Sequence, residues 1–165
     1  MTTVDLVIED PRWEALPLPR LAEVGTRAAL TAADAGEGYE IVLMACDDAR
    51  IADLNAEFRD KSTPTNVLSW PAHDLAPLVA GEAPPAPPAP DGFDDALGDI
   101  ALAYETCIRE AREQGKPIED HLTHLILHAT LHLLGYDHTH AADAALMEGL
   151  ERKALAQLGI PDPYS

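Results

Sequence analysis

Residues 118 to 138 read IEDHLTHLILHATLHLLGYDH. Apolar residues fill most positions from Leu122 to Leu134, so residues 118–135 are predicted as one long buried helix. Five of the chain's seven histidines fall in the same segment. A lone histidine on an apolar helix face usually packs and donates to a carbonyl. Here His128 and His132 are four apart and therefore neighbours on one face. Gly135 can end the helix in the left-handed conformation, turning the chain so that His138 returns to the same point. Two imidazoles from a helix and a third from the returning loop leave a coordination position open, which is how catalytic zinc sites differ from closed structural ones. The pattern HxxxHxxGxxH therefore points to one zinc ion per chain, held by His128, His132 and His138, since imidazole suits that ion.

Working outward, residues 4–10, 39–46, 66–70 and 97–104 read as strands. Residues 20–36, 47–60, 105–116 and 141–159 read as helices. Leu21, Val24, Ala28 and Ala32 form the expected stripe on the first, and Leu146, Leu150, Leu155 and Leu158 on the last. Residues 71–90, PAHDLAPLVAGEAPPAPPAP, hold seven prolines and six alanines. Proline removes a backbone donor and fixes φ, so this stretch is an exposed, partly extended loop inserted between two strands. The predicted class is α+β: a small mixed sheet of about four strands packed with about five helices, around one long central metal-binding helix. Residues 1–165 are read as one domain.

The chain carries 11 Lys+Arg against 29 Asp+Glu, a formal net charge of −18. Such a surface repels polyanions, so any nucleic-acid role needs a local cationic or metal-centred site. No apolar run reaches the length of a spanning helix. The start, MTTVDLVIEDPRWEALPLPR, lacks the basic-then-apolar order of a secretory signal. A cytoplasmic protein with no membrane partner is expected, with Cys46 and Cys107 as reduced, half-buried thiols. His124 lies one turn before His128, suited equally to supporting a ligand, touching substrate or packing. His121, His140 and His73 are expected at the surface. Asp137 either orients an imidazole or is an exposed turn acid.

The histidine spacing is also that of metzincin proteases, HExxHxxGxxH. Those need a glutamate directly after the first histidine as general base, and here Ala129 stands there, which argues against a metalloprotease-like hydrolase. The constellation resembles instead the YbeY family of bacterial rRNA-maturation metallo-endoribonucleases. HATLHLLGYDH (128–138) is similar to that family's H-G-x-L-H-L-x-G-Y-D-H signature. LNAEFRDKSTPTNVLSWP (54–71), LGDIALAYE (97–105) and LGIPDPY (158–164) are similar to its other blocks. Ala129 replaces the usual glycine, and the 71–90 loop is longer than is typical. The resemblance implies zinc-dependent, single-strand-specific RNA cleavage in small-subunit rRNA 3′-end maturation and ribosome quality control. Its implied partners are single-stranded RNA, small-subunit rRNA and the ribosome or ribosome-associated proteins. Arg59 and Lys61 are the basic residues near a motif, and none occurs between Glu119 and Leu150. By position Arg59 is either a phosphate clamp or a helix-end charge; the resemblance implies the clamp as the catalytic residue. A reading from a different class is a non-catalytic, zinc-stabilised ribosome assembly factor.

Overall fold

The computed structural model describes residues 2–59, 64–92 and 95–164, the side chains of Phe58 and Arg59 excepted. Its strands are β1 (Thr3–Ile8), β2 (Glu40–Cys46), β3 (Val67–Pro71) and β4 (Ala96–Ala103). They form one mixed sheet in the order β1-β2-β4-β3. β1 and β2 pair in parallel, β2 and β4 pair in parallel, and β3 is antiparallel to β4. Parallel neighbours need a crossover, and α1 (Leu18–Ala32) supplies it between β1 and β2. The helices α2 (Asp48–Arg59), α3 (Tyr104–Glu113), α4 (Ile118–Leu133) and α5 (Ala141–Gln157) complete the α+β fold.

The period of two along the strands divides the core. Ile41, Leu43 and Ala45 of β2 and Ile100 and Leu102 of β4 face the larger cluster, with α1, α4 and α5; Leu97 joins them at the register shift opposite Glu40 and Ile41. Cys46, Ala101 and Ala103 face the other side with Leu68 of β3, the cross-strand partner of Ala101, and Ile51 and Leu54 of α2 pack against them. The central β4 is thus buried on both faces and the sheet is sandwiched between helical layers. The close approach of α1 to α4 depends on Gly25, where an added Cβ would lie 2.9 Å from Ile126 Cγ2. On the α2 side, Asp48 accepts from the Thr106 N–H at 3.0 Å and its hydroxyl at 2.8 Å, tying α2 to the start of α3.

The expected elements appear with small shifts at their ends, and a short 3₁₀ turn at Pro11–Ala15 is added. There the Asp10 side chain accepts from the Arg12 N–H, and buried Trp13 donates to the Cys46 carbonyl at 2.8 Å. Two helix stripes are rotated from expectation. α1 buries Leu18, Leu21, Ala22, Gly25 and Ala29, while Val24 and Ala28 are half-buried. α5 buries Met147, Glu151, Ala154 and Leu155, leaving Leu158 exposed. Both cysteines are free and fully buried rather than half-buried, and burial pushes the Cys46 thiol up to about 12. The proline-rich loop is largely exposed, as expected, but Leu75 near its start is buried. Among the described residues, no helix is long and apolar enough to cross a membrane.

Candidate metal centre

α4 places His128 and His132 one turn apart on its last two turns. Gly135 then takes φ +101°, and the helix end closes with Gly135 N–H on the His132 carbonyl and Tyr136 N–H on the Leu131 carbonyl. The chain turns back, and His138 arrives with its ring centroid 5.4 Å from that of His128 and 5.1 Å from that of His132. One ring nitrogen from each of the three lies within 4.8 Å of the others. The turn is packed as well as bent: a Cβ on Gly135 would meet the Leu75 carbonyl oxygen at 2.4 Å.

Hydrogen bonding fixes which nitrogen each helix histidine presents. His132 Nδ1 lies 2.9 Å from the Tyr136 carbonyl oxygen, which can only accept, so the proton sits on Nδ1. His128 Nδ1 is hydrogen-bonded to the Glu151 carboxylate, with the same consequence. Both Nε2 lone pairs then point inward, 3.1 Å apart. Two lone pairs at that separation repel unless a cation lies between or beside them. Burial, with His128 and His138 adjacent, pushes His132 down to about 4, so it is neutral and able to ligate near neutral pH. The donor set therefore fits a divalent ion that accepts imidazole nitrogen.

Glu151 was not among the residues singled out from the sequence. Its side chain has no exposed surface, and its second oxygen accepts from the Tyr164 hydroxyl. Burial raises its pKa, but His124 and His128 facing it and the Tyr164 hydroxyl outweigh that and bring it to about 2. The same contact, added to burial, pushes the Tyr164 hydroxyl up. One signal was available: Glu151 interrupts the Met147–Ala154–Leu155 face of α5, where an acid has no reason to be unless it is paired.

The other histidines separate. His124 has little exposure, with Nε2 3.7 Å from Glu151, beyond hydrogen-bonding distance. His121 was expected at the surface; instead its side chain is 4% exposed and its Nε2 is 3.0 Å from Glu110. α4 is covered by α3 at its start as well as by α1, so the face of its first turn that carries His121 is buried while Glu119 stays exposed. His73 is half-buried on the wall of the site, whereas His140 is exposed as expected. Asp137 orients no imidazole. Its carboxylate accepts from the His138 N–H at 2.7 Å and the Thr139 hydroxyl at 3.1 Å, and so shapes the turn that delivers His138. Arg59 ends α2, but its side chain, like the whole of Lys61, lies outside the described residues.

The three histidines sit in an open cleft of about 1640 Å³, walled by β3, the start of the proline-rich loop, the end of α4 and residues 136–143. Asp74, Asp137 and Asp143 line it, with no lysine or arginine among the described residues there. Fold and site together define an α+β protein with an open, three-histidine centre able to hold a metal. The profile of the endoribonuclease YbeY family matches residues 13–159. The chain is 56% identical over 163 residues to an endoribonuclease YbeY of Cereibacter sphaeroides, covering 98% of each chain. It is 57% identical over 165 residues to one of Ruegeria pomeroyi, covering 99% of this chain and 98% of the other. It therefore belongs to the endoribonuclease YbeY family, a family of RNA hydrolases. A Thermotoga maritima protein solved in solution has the same fold, with a TM-score of 0.53 at 18% identity and 99% of both chains covered.

Proposed function

We propose that residues 1–165 form one catalytic domain, a zinc-dependent endoribonuclease that cleaves single-stranded RNA in the cytoplasm during small-subunit rRNA 3′-end maturation and ribosome quality control. The observation that carries this reading is the pair of inward Nε2 lone pairs 3.1 Å apart, with both Nδ1 atoms already committed, at the base of an open cleft. His128, His132 and His138 would hold the ion. When bound, zinc supplies Lewis-acid polarisation of a phosphoryl oxygen and raises the acidity of water.

The rest falls to the chain's own groups. The cleft's described walls are neutral or acidic, so a phosphate entering it needs cationic help from elsewhere. Arg59 is the candidate: Asn55, one helical turn before it, and Thr65, shortly after it, both line the cleft. A guanidinium there would bind two phosphate oxygens and orient the scissile bond. The acidity of the chain supports a division of labour in which non-specific RNA affinity is low and docking on the ribosome or its associated proteins supplies specificity.

The test is cleavage of single-stranded and duplex RNA by highly purified protein, with zinc added or removed by chelator. Chelator-sensitive cleavage confined to single strands is expected. RNA left intact by zinc-replete protein would favour a zinc-stabilised assembly factor instead.

A further inference from the structure

Glu151 sits on α5, 23 residues from His128 in sequence, and its carboxylate is wholly removed from solvent. A buried carboxylate needs hydrogen bonds and a compensating charge. One oxygen takes the His128 Nδ1–H and the other the Tyr164 hydroxyl. Among the described residues no lysine or arginine pairs with it; neighbouring Arg152 turns outward to Glu148 and Asp162. The groups facing it are His124, with Nε2 at 3.7 Å, and the His128 ring, and a dication on Nε2 of His128 would supply compensating charge through that ring. The effect is mutual, because a carboxylate on Nδ1 fixes the ligating tautomer and strengthens Nε2 as a donor. His124, His128 and Glu151 also cluster within 4.8 Å, but the direct hydrogen bond between His128 and Glu151 leaves no room for an ion between them.

The segment after α5 completes the arrangement. Arg152 Nε donates to Asp162 Oδ2 at 3.1 Å, and the Tyr164 N–H donates to Asp162 Oδ1 at 2.8 Å. The Arg152 guanidinium lies 5.4 Å from the Tyr164 ring centroid, and that ring stands edge-on to His124 at 6.0 Å. Each contact holds the phenol where its hydroxyl reaches the Glu151 oxygen that His128 does not use.

We propose that Glu151 and Tyr164 are positioning residues for the metal centre: Glu151 orients His128, and the docked segment Pro161–Tyr164 latches Glu151, so that its docking sets how tightly the ion is held. This rests on the three-histidine reading above. Both act through His128, and their action is read in metal binding.

The experiment measures zinc affinity and release rate of the full chain by competition with a chromophoric chelator at fixed pH. It compares wild type, Glu151→Gln, Tyr164→Phe and His132→Ala, with circular dichroism of each to record folding. Glu151→Gln should weaken zinc binding about ten- to a hundredfold. Tyr164→Phe should weaken it by a smaller factor and speed release, with the helical signal intact in both. A merely structural role would lower the unfolding midpoint and leave the zinc affinity of the folded protein unmoved. Wild-type affinity and release in both folded variants would overturn the relay; if Glu151→Gln does not fold, Tyr164→Phe decides alone. Loss of zinc in His132→Ala with no change in the other two refutes the relay and leaves the three-histidine reading standing. Full zinc in His132→Ala refutes that reading, and the relay falls with it.

Discussion

Replacing Gly135 by alanine tests the turn that assembles the site. Two costs follow from the geometry. At φ +101° a side chain is strained, by about 1–2 kcal/mol for an ordinary L-residue. The new Cβ would also fall 2.4 Å from the Leu75 carbonyl oxygen and 2.8 Å from its carbonyl carbon, so backbone has to move. Leu75 is buried, and lifting it from its seat forfeits part of the roughly 1.5–3 kcal/mol its burial contributes. A total near 3 kcal/mol is expected, or a midpoint lower by roughly 6–12 °C in a domain of this size. The site should suffer separately, because His138 lies beyond the turn and the Tyr136 carbonyl that fixes His132 lies within it. Gly135→Asn tolerates the left-handed conformation better but keeps the same Cβ, so it should recover about 1 kcal/mol of stability and little of the metal binding. The assays are thermal unfolding in chelator and zinc stoichiometry by metal analysis. Gly135→Ala protein with a wild-type midpoint and a full complement of zinc would refute the reasoning.

Arg59→Ala should keep fold and zinc but lose single-turnover cleavage of a single-stranded RNA by about a hundred- to a thousandfold, with Arg59→Lys recovering only part; wild-type rates would remove Arg59 from the mechanism. Replacing residues 77–90 by a short Gly/Ser linker, keeping Leu75, should leave folding nearly intact, and a midpoint lower by more than about 10 °C would show a packed element there. Metal-free protein should lose stability on acidification in two windows. His132, lowered from 6.5 to about 4, takes its proton in the unfolded chain first, so its contribution is full above about 6.5 and disappears towards 4. Glu151, lowered from 4.5 to about 2, adds a further loss on the order of 3 kcal/mol from about 4.5 down to 2; denaturant midpoints that stay flat from pH 7 to 3 would contradict both.

The sequence by itself determined the elements and the candidate ligands. The strands and helices were legible because apolar periodicity and Gly/Pro punctuation are local signals. The three histidines were legible for the same reason, since all lie within one helix and the turn that follows it. What surrounds them was not. Glu151 reaches His128, and Tyr164 reaches Glu151, only because α5 and the segment after it pack back on α4, and Leu75 reaches Gly135 only because the proline-rich loop returns over the helix end. His121 looked like a surface residue until α3 covered it. The insertion of β4 between β2 and β3, which makes it the strand buried on both faces, belongs to the same group. A helical face has one exposure pattern in the sequence, but the partner of a polar residue on that face is chosen by elements far along the chain. Tertiary packing therefore decided which carboxylate stands behind His128.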